Sequence, residues 1–388
     1  MFSPPPARVH VRRCPDYGAV AAPVAALLEA ALGGERLAGA RVLLKVNLMR
    51  GSPPEDARTT HPEVARAVVR WFLVRGARPF LAESSGVLGF TDEVAEAAGV
   101  AAVAREEGVP FVNLDAGPFR RVRGRGRVPG DLLLPEVLFD CDLRVTLPKL
   151  KTHTLTVITG ALKNQVGILP GGTKCTLHVR AGSARRLAEA VVDLAEEVPF
   201  QLGLVDAVVG LHGGGSAAGR PVALGFLAAS RDLTALDAVC GQLVGIAPHE
   251  VPTTAAAAAR GLGEARLEHI EVEGVQPGVP LVRFARAAPD PKRFAPLGRA
   301  FYRVRAGILE PAVDLERCTR CGTCALVCPE RCISLAPTPR IGAGCVACFA
   351  CRERCPSGAM LLRTPWWARR ALAARTTGLP LAHLDRRS

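Results

Sequence analysis

Two cysteine runs near the C-terminal end constrain this chain more than any other feature. The first reads Cys318-Thr-Arg-Cys321-Gly-Thr-Cys324-Ala-Leu-Val-Cys328-Pro329, and the second Cys345-Val-Ala-Cys348-Phe-Ala-Cys351-Arg-Glu-Arg-Cys355-Pro356. Both have C-x2-C-x2-C-x3-C-P spacing, and the second begins 27 residues after the first. Three closely spaced thiolates wrap three corners of an iron–sulfur cubane, and the fourth cysteine of each run ligates the other cluster. The spacing therefore predicts two [4Fe–4S] clusters. Cys318, Cys321, Cys324 and Cys355 hold one; Cys345, Cys348, Cys351 and Cys328 hold the other. Zinc sites use C-x2-4-C pairs rather than three cysteines in a row followed by C-P. Cys332 aligns with Ala359 in the repeat and reads as packing. The crossed connectivity ties both halves into one unit whose folding depends on metal.

The wider composition agrees. Nine of the 13 cysteines lie in this segment of the 388-residue chain, and Cys14, Cys141, Cys175 and Cys240 are scattered. A disulfide framework belongs to short secreted chains. The start, Met1-Phe-Ser-Pro-Pro-Pro, shows no basic and then apolar leader, and no apolar run reaches the length of a membrane span. The expected address is the cytoplasm. The net charge of +13 invites an anionic partner. Yet Arg120, Arg121, Arg123, Arg125 and Arg127 alternate with Val and Gly, without aromatics for base stacking. They read as a solvated basic loop, not a nucleic-acid surface.

Residues 1–282 alternate short apolar runs with Ala-rich helical stretches. Arg41–Leu44, Pro79–Ala82, Leu143–Leu147, Gln201–Val205 and Val222–Ala228 read as buried strands. Pro62–Arg75, Thr91–Glu107 and Ala184–Glu197 read as helices. The alternation predicts an α/β domain with a mainly parallel sheet. A Pro- and Arg-rich connector spans 283–312, a small α+β dicluster domain of the ferredoxin type 313–363, and a basic tail 364–388. At the strand exits stand Lys45 and Asn47; Glu83, Ser84 and Ser85; Lys149, Lys151 and His153 after Pro148; and Asp206. In an open parallel sheet such exits share one edge, where ligands bind.

Lysine is scarce: 43 Arg stand against 6 Lys, and four of the six, Lys149, Lys151, Lys163 and Lys174, lie within 26 residues. Lysine offers a compact charge and a pKa that burial lowers. With Thr152, Thr154, Asn164 and the turns at Gly160, Gly167, Gly171 and Gly172, they suggest an anion pocket. Neither a Walker A loop nor a G-x-G-x-x-G fingerprint is present. His178 alone reads as a surface or packing residue. His61, before Pro62, either caps a helix or faces the pocket. The loop Gly210-Leu-His-Gly-Gly-Gly-Ser216-Ala-Ala-Gly219 allows close backbone approach to a ligand, or is a flexible hairpin.

Pro148-Lys-Leu-Lys-Thr-His-Thr-Leu-Thr, then Thr159-Gly-Ala-Leu-Lys-Asn164 and Gly167, resembles the signature of the domain-of-unknown-function 362 family. Lys45-Val-Asn47, Thr60-His-Pro62, Glu83-Ser-Ser-Gly86, Asp206-Ala-Val-Val-Gly210, Ser230-Arg-Asp232 and Leu236-Asp237 fall in the order that family shows. The resemblance covers residues 8–275. Its members often carry a C-terminal two-cluster ferredoxin, which implies a redox protein without naming a substrate. Relatives have an E-G-N-G-P-like stretch where this chain has His212-Gly-Gly-Gly-Ser216, so a ligand role for that loop is in doubt.

These readings combine into one expectation: an iron–sulfur protein passing electrons through two clusters to an anionic substrate or cofactor. Lys45, Lys149, Lys163 and Asn164 would bind the anion, and Lys151 and His153 would act chemically, the histidine as proton donor. A redox partner protein is implied. The alternatives are a non-enzymatic electron carrier and an accessory protein for a partner enzyme. The tail, with Trp366 and Trp367, packs on the module or touches a membrane interface, the former being favoured.

Overall fold

The computed structural model describes residues 7–49, 51–85, 90–124, 126, 131–215, 219–286 and 310–363. Its strands, in chain order, are β1 (Ala7–Arg13), β2 (Arg41–Lys45), β3 (Arg78–Glu83), β4 (Phe111–Asn113), β5 (Phe119–Arg123), β6 (Asp131–Pro135), β7 (Leu143–Thr146), β8 (Lys149–His153), β9 (Val157–Thr159), β10 (Leu202–His212), β11 (Arg220–Ser230), β12 (Ile270–Gly274), β13 (Glu310–Val313), β14 (Ile333–Ser334), β15 (Arg340–Ile341) and β16 (Met360–Arg363).

Ten of these form one sheet, ordered β12-β1-β11-β10-β7-β2-β3-β4, with β8 also on β10 and β9 on β8. Pairings of β2, β3, β4 and β7 are parallel, as are β10 with β7 and β8 and β1 with β12. β11 is antiparallel to β1 and β10, and β9 to β8. Successive strand residues face opposite sides. Leu43, Phe80, Val205 and Phe226 pack into one core. Their neighbours Val42, Leu44, Leu81, Leu204 and Leu227 pack into the other. Apolar residues on both faces explain why these strands read as unbroken hydrophobic runs, and helices cover each side.

Helix ends follow their local chemistry. Pro62 opens Pro62–Val74, with His61 as its cap. The Ser183 side chain accepts from the Arg186 N–H and starts Ala184–Glu197. The single helix expected over Thr91–Glu107 is two, Thr91–Ala97 and Val100–Glu106, because Gly99 adopts φ 73° between them.

Two further expectations need correction. Lys149, Lys151 and His153, expected at a strand exit, lie inside a strand of their own. Pro148 ends β7, and the chain resumes as β8 along the same long strand, β10, with Asp206 opposite Lys149. Asp206 is therefore inside a strand, not at its exit. The arginines expected in a loop instead form part of the β5–β6 hairpin, where Arg120 lies over the Phe139 ring and Arg121 pairs with Asp131 and Glu330. Arg125 and Arg127 are outside the described residues.

Residues 283–286 pack on the α/β domain: Phe284 is buried, and its N–H donates to the Val244 carbonyl at 2.9 Å. Residues 287–309 and the tail 364–388 lie outside the described set. In the cysteine-rich module β13 pairs with β16 and β14 with β15. Among the described residues no helix is long and apolar enough to cross a membrane.

Candidate active site: a layer of buried lysines

Lys45, Lys149, Lys151, Lys163 and Lys174 are all buried; Lys292 is outside the described residues. Among the described residues, surface positive charge is carried by arginine and every lysine is in the interior. Burying ammonium groups is costly unless each finds partners, and the partners define the site.

Lys149, Lys151 and His153 alternate along β8 and so share a face of the strand. Lys149 Nζ lies 2.5 Å from Asp206 Oδ2 and donates to Tyr17 Oη at 2.7 Å. Tyr17 Oη in turn donates to Asp206 Oδ1 at 3.1 Å. The Tyr17 ring stacks on His61, centroids 3.5 Å apart and planes 5° off parallel. The His61 N–H donates to Asp206 Oδ2 at 2.9 Å, while its Nδ1 accepts the Glu63 N–H. Both roles open to His61 are thus filled: it caps the helix and lines the site. Burial lowers its pKa to about 4, against the pull of Asp206. Burial also lowers Lys149, again opposed by Asp206.

Lys45 Nζ lies 2.8 Å from Glu83 Oε2 and 3.3 Å from Asn164 Oδ1. Asn164 Nδ2 donates to Thr146 Oγ1 at 2.9 Å. Gly167 closes over this pair: a Cβ there would stand 2.2 Å from Glu83 Oε1 and 2.5 Å from Lys45 Nζ. Similarly, a Cβ on Gly160 would stand 2.1 Å from Asp237 Oδ1, which accepts the Ala161 N–H at 2.6 Å. The glycines of the signature are thus places of close approach. Burial raises the Glu83 pKa and lowers that of Lys45.

Lys151 differs from both. Its Nζ donates to two neutral acceptors, Asn47 Oδ1 at 2.7 Å and the Arg58 carbonyl at 2.6 Å. Burial, then the charges of Lys149, Lys163 and Lys45, outweigh Glu83 and bring its pKa down to about 7. Three buried polar atoms without a hydrogen-bond partner adjoin these residues in sequence: Thr59 Oγ1, Thr152 Oγ1 and Gln165 Oε1. His153 Nδ1 accepts the Leu155 and Thr156 N–H groups, both at 3.1 Å, and shapes the turn after β8. His178 Nδ1 lies 2.6 Å from the Lys174 carbonyl within its own helix. His212 Nδ1 accepts the Ala285 N–H, so the start of the glycine loop is a structural tie; residues 216–218 and Gly86 are outside the described set.

A second polar knot joins this layer to the cysteine-rich module. Lys174 Nζ donates to Ser84 O, Ser84 Oγ and Ser85 O. Ser84 Oγ donates to Asp115 Oδ1, which also accepts the Gly171 N–H at 2.6 Å. Thr91 Oγ1 donates to Asp115 Oδ2 at 2.6 Å. The Gly172 N–H then reaches Ala347 O, between two cysteines of the second run, at 2.8 Å. A Cβ on Gly171 would stand 2.4 Å from Cys348 O. Asn113 Nδ2 donates to Glu353 Oε2 at 2.8 Å, and the Arg352 guanidinium lies 3.4 Å over the Phe90 ring. Cys348 and Cys351 are buried there, while Cys321 is exposed.

Tyr17, Thr91 and Asp115 were not singled out by sequence. Tyr17 and Asp115 carry no motif around them, and their partners lie far along the chain.

A family model described as domain of unknown function (DUF362) matches residues 42–242. A 4Fe-4S binding domain model matches residues 311–334. A thylakoid-associated protein of Synechocystis sp. is 33% identical over 256 residues, covering 65% of this chain and 78% of that protein. The lactate racemase apoprotein of Thermoanaerobacterium thermosaccharolyticum aligns with a TM-score of 0.41 and 15% identity, over 63% of this chain and 60% of that one.

Proposed function

The chain belongs to the domain of unknown function 362 family, and we propose that it is an iron–sulfur protein binding two [4Fe–4S] clusters, one of them set against the lysine layer of the α/β domain. The observation that carries this reading is the 2.8 Å bond from the Gly172 N–H to Ala347 O. It seats the second cysteine run on the turn that ends the Lys174–Ser84–Asp115 network.

The cysteines that feel one another's charge group as crossed ligation requires. Burial raises the Cys324 pKa, and Cys318 and Cys355 add to it. Burial pushes Cys348 up to about 12, with Cys328 and Cys345 adding. Cys351 is raised in the same way, with Cys348, Cys345 and Cys328 among the causes. Each group of neighbours contains the fourth cysteine of the opposite run, which supports crossed ligation. When bound, the clusters supply one-electron transfer.

The lysines divide in role. Lys45 and Lys149 have carboxylate counter-ions and hold the scaffold, so the expected anion binding narrows to Lys151, within the field of Lys163. With a pKa of about 7, Lys151 can give a proton as negative charge arrives on an acceptor and regain it afterwards. The neutralised Lys45 and Lys149 favour a second reading, in which the layer is structural and the chain only carries electrons.

Anaerobic reconstitution with iron and sulfide analysis tests the first claim: about eight irons per chain are expected. About four irons, or zinc, overturns it. A screen of carboxylated and phosphorylated acceptors then separates the two readings. Lys151→Met abolishes turnover with an unchanged cluster spectrum if the layer is catalytic, and leaves electron transfer intact if it is not.

A further inference from the structure

The module is docked chiefly through its second cysteine run, with Val327 and Glu330 of the first stretch touching the β5–β6 hairpin. Its second cysteine run is held by Gly171, Gly172, Asn113 and Thr91 of the α/β domain, and Cys348 and Cys351 are buried. The first run faces the other way: Cys321 is exposed, and Cys318 and Cys324 are only partly covered. Large apolar side chains are exposed around it. Leu326, on the turn of helix between Cys324 and Cys328, is 86% exposed, and Leu315 and Leu335 are also exposed. The described residues contain seven exposed large hydrophobics, and these three flank one cysteine run. Such clustering on a small module marks a contact surface.

Both signs of charge stand beside it, but the carboxylates of Asp314 and Glu330 are already engaged. Arg317, Arg320 and Arg331 are exposed. Arg317 reaches Asp314 at 3.5 Å, but among the described residues Arg320 and Arg331 make no ion pair. Glu330, the carboxylate between them and the hairpin, is already paired with Arg121. Glu316 is the one further carboxylate in the stretch. The patch therefore presents exposed apolar side chains beside two guanidinium groups, Arg320 and Arg331, that make no ion pair among the described residues.

We infer that this face, Leu315, Leu326 and Leu335 with Arg317, Arg320 and Arg331, is the docking surface for a small acidic electron-carrier protein that delivers electrons to the first-run cysteines. The inference rests on the cluster-binding reading above. Electrons enter where the thiolates approach solvent and leave where Cys348 and Cys351 are covered. Each encounter moves one electron: the donor is oxidised by one electron and one cluster is reduced by one, with no proton or bond required. Basic residues steer an acidic donor, and the leucines exclude water once it is seated.

The test uses the reconstituted full chain and a reduced acidic flavodoxin as probe. Binding to immobilised flavodoxin is measured against salt, and cluster reduction is followed by absorbance. Methyl viologen radical serves as a small-molecule donor. Arg320→Glu/Arg331→Glu is expected to weaken flavodoxin binding at least about tenfold at low salt. Reduction by methyl viologen should stay unchanged. Leu326→Glu should act likewise, and Arg36→Glu/Arg220→Glu, an equal charge change on the α/β domain, should not. Equal loss with the control pair, or no loss with Arg320 and Arg331 reversed, overturns the surface. Failure of methyl viologen to reduce the wild-type chain overturns the cluster reading instead.

Discussion

Lys149 Nζ and Asp206 Oδ2 lie 2.5 Å apart, and neither side chain is exposed to solvent. A buried pair of this kind adds little net stability, because desolvation offsets the attraction. Removing one member is another matter. Lys149→Met leaves the buried Asp206 carboxylate without a counter-ion, held only by neutral donors such as Tyr17 and the His61 and Val208 N–H groups, at a cost of about 3–5 kcal/mol. Lys149→Met/Asp206→Leu should regain most of that in denaturant melts. If the double variant is as unstable as the sum of the singles, the pair is not the unit described.

Lys151 makes a pH-dependent prediction. Its pKa falls from 10.5 to about 7 in the folded chain, chiefly through burial. Between these values the unfolded chain binds the extra proton, so stability rises with pH across the window. The contribution is fully present above pH 10.5 and is lost as pH falls to about 7, a difference on the order of 5 kcal/mol. Lys151→Met removes this dependence. Wild type should therefore gain on the variant by on the order of 1 kcal/mol per pH unit from pH 7 to 10. Parallel stability curves for the two proteins would show that Lys151 keeps an ordinary pKa.

Much of the fold is legible in the strand runs, because apolar residues on both faces of β2, β3, β7, β10 and β11 leave no alternation to confuse with a surface strand. β8 is the instructive miss. Lys-Leu-Lys-Thr-His after a proline looks like a wet loop, and only the carboxylate opposite Lys149 makes it tolerable as a buried strand. The residues of the site were visible as strand-exit polar groups, but their pairing was not. No local pattern says that Lys45 takes Glu83 while Lys149 takes Asp206, leaving Lys151 with neutral acceptors. The Asp115 knot was invisible for the same reason: Ser84, Thr91 and Gly171 meet it from three separate stretches of chain.

Gly172→Ala should undock the module without emptying it. A Cβ at this position would stand 2.6 Å from the Ala347 carbonyl oxygen and 3.1 Å from Ala347 Cβ. The first of these is backbone and cannot swing aside, so the turn must move away from the second cysteine run. Amide exchange at 346–353 should rise and proteolysis of the module should speed up, while iron content stays at the wild-type value. Unchanged exchange there means that the Gly172–Ala347 bond does not hold the interface.

The crossed cysteine assignment can be read by counting iron in paired variants. Cys321 and Cys355 belong to one proposed site, so Cys321→Ser/Cys355→Ser should lose no more iron than either single change, about four atoms. Cys328 and Cys355 belong to different sites, and Cys328→Ser/Cys355→Ser should lose both clusters. Uncrossed ligation reverses one of these results: Cys321→Ser/Cys355→Ser would then strip both sites, and Cys348→Ser/Cys355→Ser only one. The thiol neighbourhoods favour the crossed outcome, because Cys355 adds to the raised pKa of Cys324 and Cys328 to those of Cys348 and Cys351.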